Sequence, residues 1–164
     1  MKKIVVLLLL ILPFCLFSCG EIEIEEEPTG VDLDCLPGKW VKYKEHVKGL
    51  FIDSEGHPRS VDTTYEYSSK QIKRLSESVY FLINADGTAA NVSGSARAEW
   101  VWTLEEENTL SLVRTFPQDK PGYEMKGRYI IRFLTEKKMC LFDIGMAYSC
   151  GGANVTSYYK KMKQ

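Results

Sequence analysis

Histidine is scarce in this chain, and the two it has, His46 and His57, stand at no ligand-like spacing from a cysteine, so neither a zinc site nor a thiolate–imidazole pair is suggested. No serine or carboxylate is placed beside them as a triad or dyad would need, and no glycine-rich phosphate loop occurs. Gly151-Gly152 reads as a bend. Asp53, Glu55 and His57 alternate as chelating groups can, but a calcium loop needs glutamate at its twelfth position, where this chain has Thr64. An exposed polar turn is the preferred reading. The residues therefore point to a non-catalytic protein without cofactor or metal. Basic blocks are missing too: formal charge is -1, and only Lys160, Lys161 and Lys163 cluster, near the C-terminus. Nucleic acid is a poor match as a partner, and the lysines read as a solvated strand end.

Long apolar runs are confined to the start. Met1-Lys2-Lys3 precedes an unbroken apolar stretch over residues 4–12, and Pro13 follows it. A membrane span needs about 20 predominantly apolar residues, so the stretch is the core of a signal peptide covering 1–18. It ends in Leu16-Phe17-Ser18-Cys19-Gly20. That pattern resembles the lipobox of bacterial lipoproteins, and the resemblance implies cleavage before Cys19 and a cysteine carrying a diacylglyceryl thioether and an amide-linked acyl chain. The alternative is an ordinary signal peptide with a chance cysteine and a secreted chain. Each buried methylene contributes about 0.8 kcal/mol, so several acyl chains on one residue hold the protein on its membrane. Gly20 stands where an aspartate would, in enterobacterial lipoproteins, favour the inner membrane; by that resemblance the outer membrane is expected.

Glu21, Glu23, Glu25, Glu26 and Glu27 come next. The cluster resembles the surface-export signal of Bacteroidota lipoproteins, implying a cell-surface domain. It also reads as a solvated acidic spacer, and the two are compatible. Residues 19–34 form an expected flexible tether, and 35–164 a single domain. Of five cysteines, Cys15 leaves with the leader and Cys19 is lipidated, so Cys35, Cys140 and Cys150 remain in a compartment that permits disulfides. One bridge is expected, its pairing open.

The domain alternates at short spacing. Val41, Tyr43 and Val47 are assigned to one face of the first strand, with Lys42, Lys44 and His46 on the other. A turn over 53–58 leads to a second strand, with Val61, Thr63, Tyr65 and Tyr67 on one face. Residues 69–77 form either a short helix, begun by a Ser68/Gln71 capping box, or an irregular crossing segment. Asp86-Gly87, within the turn 85–88, is a hairpin signal between strands at 79–83 and 89–93. Trp100, Trp102 and Leu104 should face the core, answered across a turn by Leu110 and Leu112. Strands follow at 124–134, 138–144 and 154–162. Hairpins in meander order, without a long amphipathic helix, describe an all-β protein: an antiparallel up-and-down barrel of about eight strands, closed so that no apolar edge stays open.

Over most of the mature chain the pattern resembles the small lipocalin-like domains of Bacteroidota lipoproteins. The resemblance rests on Gly38-Lys39-Trp40, the strand 79–88 ending in Asp86-Gly87-Thr88, the Trp102-Thr103-Leu104 hairpin with 109–112, and the closing pieces 129–133 and Tyr158-Tyr159-Lys160. It implies a calycin-type barrel with room for a small apolar ligand, Trp40 plugging the closed end, and no catalytic machinery. Trp40, Trp100, Trp102, Tyr129 and Phe133 are the candidate lining, or they are a packed core, since an eight-stranded barrel is just wide enough to be filled by side chains. In the first case the partner is a small apolar ligand. In the second the chain is a structural or interaction accessory, meeting an envelope protein through loops at 53–60 or 145–153. Asp62-Thr63-Thr64 matches the short O-glycosylation pattern Bacteroidota use on exported proteins, with Thr63 as acceptor, and equally fits a plain strand face.

Overall fold

The computed structural model describes residues 27–52, 55–106, 108–115, 124–144 and 153–163. Cys19, Cys150, the acidic positions 21–26 and the loop at 145–152 lie outside them.

Nine antiparallel strands follow one another: β1 (Gly38–Ile52), β2 (Pro58–Glu66), β3 (Val79–Ile83), β4 (Thr88–Ser93), β5 (Ala96–Glu105), β6 (Thr109–Thr115), β7 (Glu124–Leu134), β8 (Lys138–Asp143) and β9 (Asn154–Met162). Eight of them close a ring. β3 through β9 pair in sequence order, β1 joins β3 on one edge, and β1 pairs β9 on the other. The expected up-and-down barrel is therefore formed. β2 is the extra strand, paired to β1 from Lys44 to Ile52 as an arm that runs past the last β1–β9 pair, Lys48 with Asn154.

The expected turns are present where local chemistry specifies them. Gly87 has φ +86, which a side chain rarely tolerates, and Asp86 Oδ1 accepts from the Thr88 backbone N–H at 2.9 Å and its hydroxyl at 2.6 Å. These bonds hold the Asp86 carboxyl below the usual carboxylate range. The ambiguous segment resolves as a helix, α1 (Ser69–Ser78). Ser68 caps it: its hydroxyl accepts from the Gln71 N–H, and its own N–H donates to Gln71 Oε1 at 2.8 Å. Ile72 is the buried residue of α1, which packs against β1 and β3.

The interior is filled from its closed end by Leu36, Trp40, Phe81, Ile83, Leu110, Leu112, Ile131, Leu134, Met139 and Leu141. Trp40 is 0% exposed and donates its indole N–H to the Leu36 carbonyl at 2.8 Å. Leu36 follows a 3-10 turn, Leu33–Cys35, that covers this end. Lys161 crosses it, with Nζ 5.2 Å from the Trp40 ring centre and donating to the Cys35 carbonyl at 2.8 Å. Gly38, with φ +151, leaves the space that the Lys161 side chain occupies, which gives the Gly-Lys-Trp opening a physical reason.

Three expectations are corrected. The tether was expected to extend to Asp34, but residues 27–36 lie on the barrel: Leu134 donates its N–H to the Gly30 carbonyl and accepts from the Asp32 N–H, both at 3.0 Å. β6 pairs with β7 only as far as Ile130, so the last residues of β7 have a free edge, and this strap satisfies it. Second, a bulge at Tyr43, between Lys42 and Lys44, shifts the phase of β1. Tyr43, Lys44 and His46 now share the outer face, while Lys42, Glu45 and Val47 face inward. Third, Cys35 and Cys140 are both free. They sit on opposite sides of the wall, because Cys35 packs against the interior core while Cys140 is in register with the outward Tyr158. Burial pushes the Cys140 thiol up to about 11. We expect Cys140 to resist iodoacetamide in mildly alkaline buffer until the protein unfolds; native-state modification at the rate of the half-buried Cys35 would refute this placement.

Candidate functional site

The weak point of the wall lies between β1 and β3. Their pairing covers only Gly38 to Trp40 against Ile83 to Phe81. From Lys44 onward the same edge of β1 is taken by β2. Between these contacts opens a cavity of about 330 Å³, lined by Trp40, Lys42, Val79, Tyr80, Phe81, Asn91, Val92, Ser93 and Tyr159. Four of the nine lining residues are aromatic, and Lys42 supplies a cation.

A polar chain runs inside the barrel beside it. The Lys42 ammonium pairs with Glu45, whose Oε1 also accepts from the Ser157 hydroxyl at 3.2 Å. Ser157 is in turn hydrogen-bonded to Tyr159. Burial raises the Tyr159 phenol to about 12; the charges of Glu45 and Asp143 add to this, and the Ser157 bond opposes it. Tyr129 is raised to about 12, first by burial and then by Asp143. Both phenols stay neutral donors at ordinary pH, which suits a polar ligand end more than proton transfer.

The five proposed lining residues divide. Trp40 reaches the cavity. Trp100 and Trp102 turn inward against the core as expected, and Tyr129 joins them. The Trp102 indole donates to the Asn84 carbonyl at 2.9 Å, while Trp100 Nε1 is buried with no hydrogen-bond partner. Trp100 borders a separate cavity of about 330 Å³ with Asn84, Thr88, Ala89, Arg97, Glu99, Val101 and Val113. Phe133 is the exception. A bulge at Arg132 turns it outward, and it packs at 6.2 Å between ring centres on Tyr158, outside the interior. Leu104, also expected inside, is 37% exposed at the closed end.

Lys42, Glu45, Ser157 and Tyr159 escaped the sequence reading. Tyr159 could have been found from its alternation with Tyr158 and Lys42 from its alternation with Trp40, but the Tyr43 bulge hid Glu45. Gly127 belongs to the same region. A Cβ built there would lie 2.9 Å from Tyr129 Cε2 and 3.1 Å from its hydroxyl, so the glycine makes room for the ring. Gly127→Ala should cost about 1–3 kcal/mol by overpacking and bring the Tyr129 ionisation back toward 10. Denaturant midpoint and tyrosinate absorbance measure the two effects; an unchanged Tyr129 titration would show that the glycine does not set the ring's position.

Thr63 is half-buried in β2, opposite Val47. Its neighbour Asp62 accepts from His46 at 2.8 Å and pairs with Lys48 at 3.1 Å, contacts that hold its carboxyl below the usual range.

No protein-family model, curated protein or solved structure matches the chain.

Proposed function

We propose that this chain is a lipid-anchored lipoprotein of the bacterial cell envelope, exported through residues 1–18 and held at Cys19, whose lipocalin-like barrel binds a small, mostly apolar ligand without transforming it. The observation that carries the binding half is the cavity between β1 and β3, where Trp40, Phe81 and Tyr159 offer apolar and aromatic surface and Lys42 a polar end. At about 30 Å³ per water-sized volume, it holds roughly a dozen non-hydrogen atoms. The anchoring half rests on Leu16-Phe17-Ser18-Cys19. Outer-membrane placement, facing the outside of the cell, follows from Gly20 and the glutamates after it, and Thr63 is the O-glycan acceptor on the same reading.

Two experiments test it. Cys19→Ala should move the protein from the membrane pellet to the soluble fraction, and firm membrane retention of the variant would refute the anchor. Titration with anilinonaphthalene sulfonate, an apolar probe with one negative charge, should quench tryptophan emission saturably as it seats against Trp40. An absence of saturable quenching would favour the second reading, an accessory protein acting through its loops. The observation on that side is the filled interior from Leu36 to Leu141.

A further inference from the structure

The strap that docks residues 27–36 on the barrel has a direction. Its bridge, Val31 with Leu134, is parallel, so the strap runs the same way as β7. β7 starts at the open end, where β6 finishes, and ends at the closed end beside Met139 and the β7–β8 turn. Read toward the N-terminus, the chain therefore leaves Leu36 at the closed end and climbs the outer wall toward the mouth. A second contact places it higher up: the Glu27 carboxylate lies 4.0 Å from Lys44 Nζ and is hydrogen-bonded to Tyr158. Lys44 stands only four residues below Lys48, where β1 parts from β9 at the mouth. That is roughly 13 Å at about 3.3 Å per residue.

The eight residues from Glu27 back to Cys19 span up to about 28 Å when extended. To bring the acyl chains to the closed end, the segment would have to double back along about 20 Å of wall, the rise from Gly38 to Lys44, with little length left over. Toward the mouth it has slack. At the mouth Leu50 on the β1–β2 arm is 47% exposed, Met125 at the start of β7 46%, and Val79 at the start of β3 41%, while toward the closed end Val101 is 56% and Leu33 39% exposed. Lys48, Arg97 and Lys126 stand among them, Lys48 paired with Asp62 and Arg97 with Glu99.

We infer that the strap ties the barrel mouth-down, so that Leu50, Met125 and Val79 meet the bilayer and the cavity between β1 and β3 opens toward lipid. This rests on the reading that Cys19 is lipidated, and it gives the ligand a class: an amphiphile drawn from the membrane, its tail against Trp40 and Phe81 and its polar end toward Lys42. A tether leaving directly from the start of β1 would have set the closed end on the membrane.

The test uses the full lipidated chain in vesicles of phosphatidylethanolamine and phosphatidylglycerol bearing an energy acceptor on their headgroups. A donor is attached through azidophenylalanine placed at Met125 in one preparation and at Glu136 in another. Mouth-down docking should give the Met125 donor at least about twice the transfer efficiency, since the barrel ends are roughly 30 Å apart. A 20-residue glycine–serine insertion after Glu26 should narrow the difference by freeing the strap's leash. Equal transfer from both donors, or more from Glu136, overturns the inference. The mass of the purified chain separates the two failures: absence of the acyl mass at Cys19 refutes lipidation itself, whereas wrong transfer in chains that carry it refutes the orientation alone.

Discussion

Trp40→Ala should be the most damaging single change in the barrel, lowering stability by about 3–5 kcal/mol. Three costs coincide at this residue. The largest fully buried side chain is removed from the closed end, the Leu36 carbonyl loses the indole N–H that satisfies it at 2.8 Å, and Lys161 loses the ring beneath its ammonium. Against a typical total of about 5–15 kcal/mol, such a loss leaves a marginal protein. Trp40→Phe separates the terms. It keeps much of the packing but strands a buried carbonyl, at about 1–3 kcal/mol. Urea unfolding measures both, and an unchanged slope would show that the loss belongs to the native state. Because Trp40 also lines the cavity, the alanine variant should bind the anionic probe more weakly even where it remains folded. A Trp40→Ala protein as stable as the parent would mean that the closed end is held by something other than this contact.

Alkaline unfolding is the second large effect. Tyr129 and Tyr159 are raised from 10.0 to about 12 in the folded state, burial being the main cause in both. A folded pKa above the unfolded one means that the unfolded chain gives up the proton first. The stabilising contribution is therefore fully present below pH 10 and is lost as pH rises toward 12. At 1.36 kcal/mol per pKa unit, each phenol contributes at most a few kcal/mol. Together they should lower the stability of the barrel steeply within that window. Tyrosinate absorbance and circular dichroism followed against pH should show Tyr129 and Tyr159 ionising together with the loss of the fold. Tyr158 is raised to about 12 as well, so Tyr159→Phe removes one of three such groups and should move the unfolding midpoint to higher pH. Complete ionisation of all nine tyrosines near pH 10 in a folded protein would contradict the burial of Tyr129 and Tyr159.

Much of the fold could be read from residues because its signals are local. The Asp86-Gly87-Thr88 turn, the Ser68/Gln71 cap and the inward Trp100, Trp102, Leu110 and Leu112 each depend on neighbours in sequence or on simple alternation. What escaped depends on a partner strand. A bulge is one surplus residue on one strand relative to another, so Tyr43 and Arg132 look like ordinary strand positions until β9 and β8 are laid against them. Those two residues decide the site, since one turns Glu45 inward beside Lys42, which already shares the inner face of Trp40, and the other turns Phe133 out. The strap was missed for a related reason. Its backbone bonds use the free edge of β7 beyond Ile130, which exists only because β6 starts at Thr109. A Cys35–Cys140 bridge fails on facing, a property that counting cysteines does not carry, and Cys150 lies outside the described residues.

Binding in the cavity between β1 and β3 is tested most directly by native mass spectrometry of the chain isolated from its own host in mild detergent. The protein should carry a non-covalent amphiphile in addition to the acyl mass at Cys19, and Ser93→Trp, which fills the cavity from β4, should arrive without it. A parent chain with no adduct, indistinguishable in occupancy from Ser93→Trp, would contradict the binding function and leave the barrel as a scaffold for its loops.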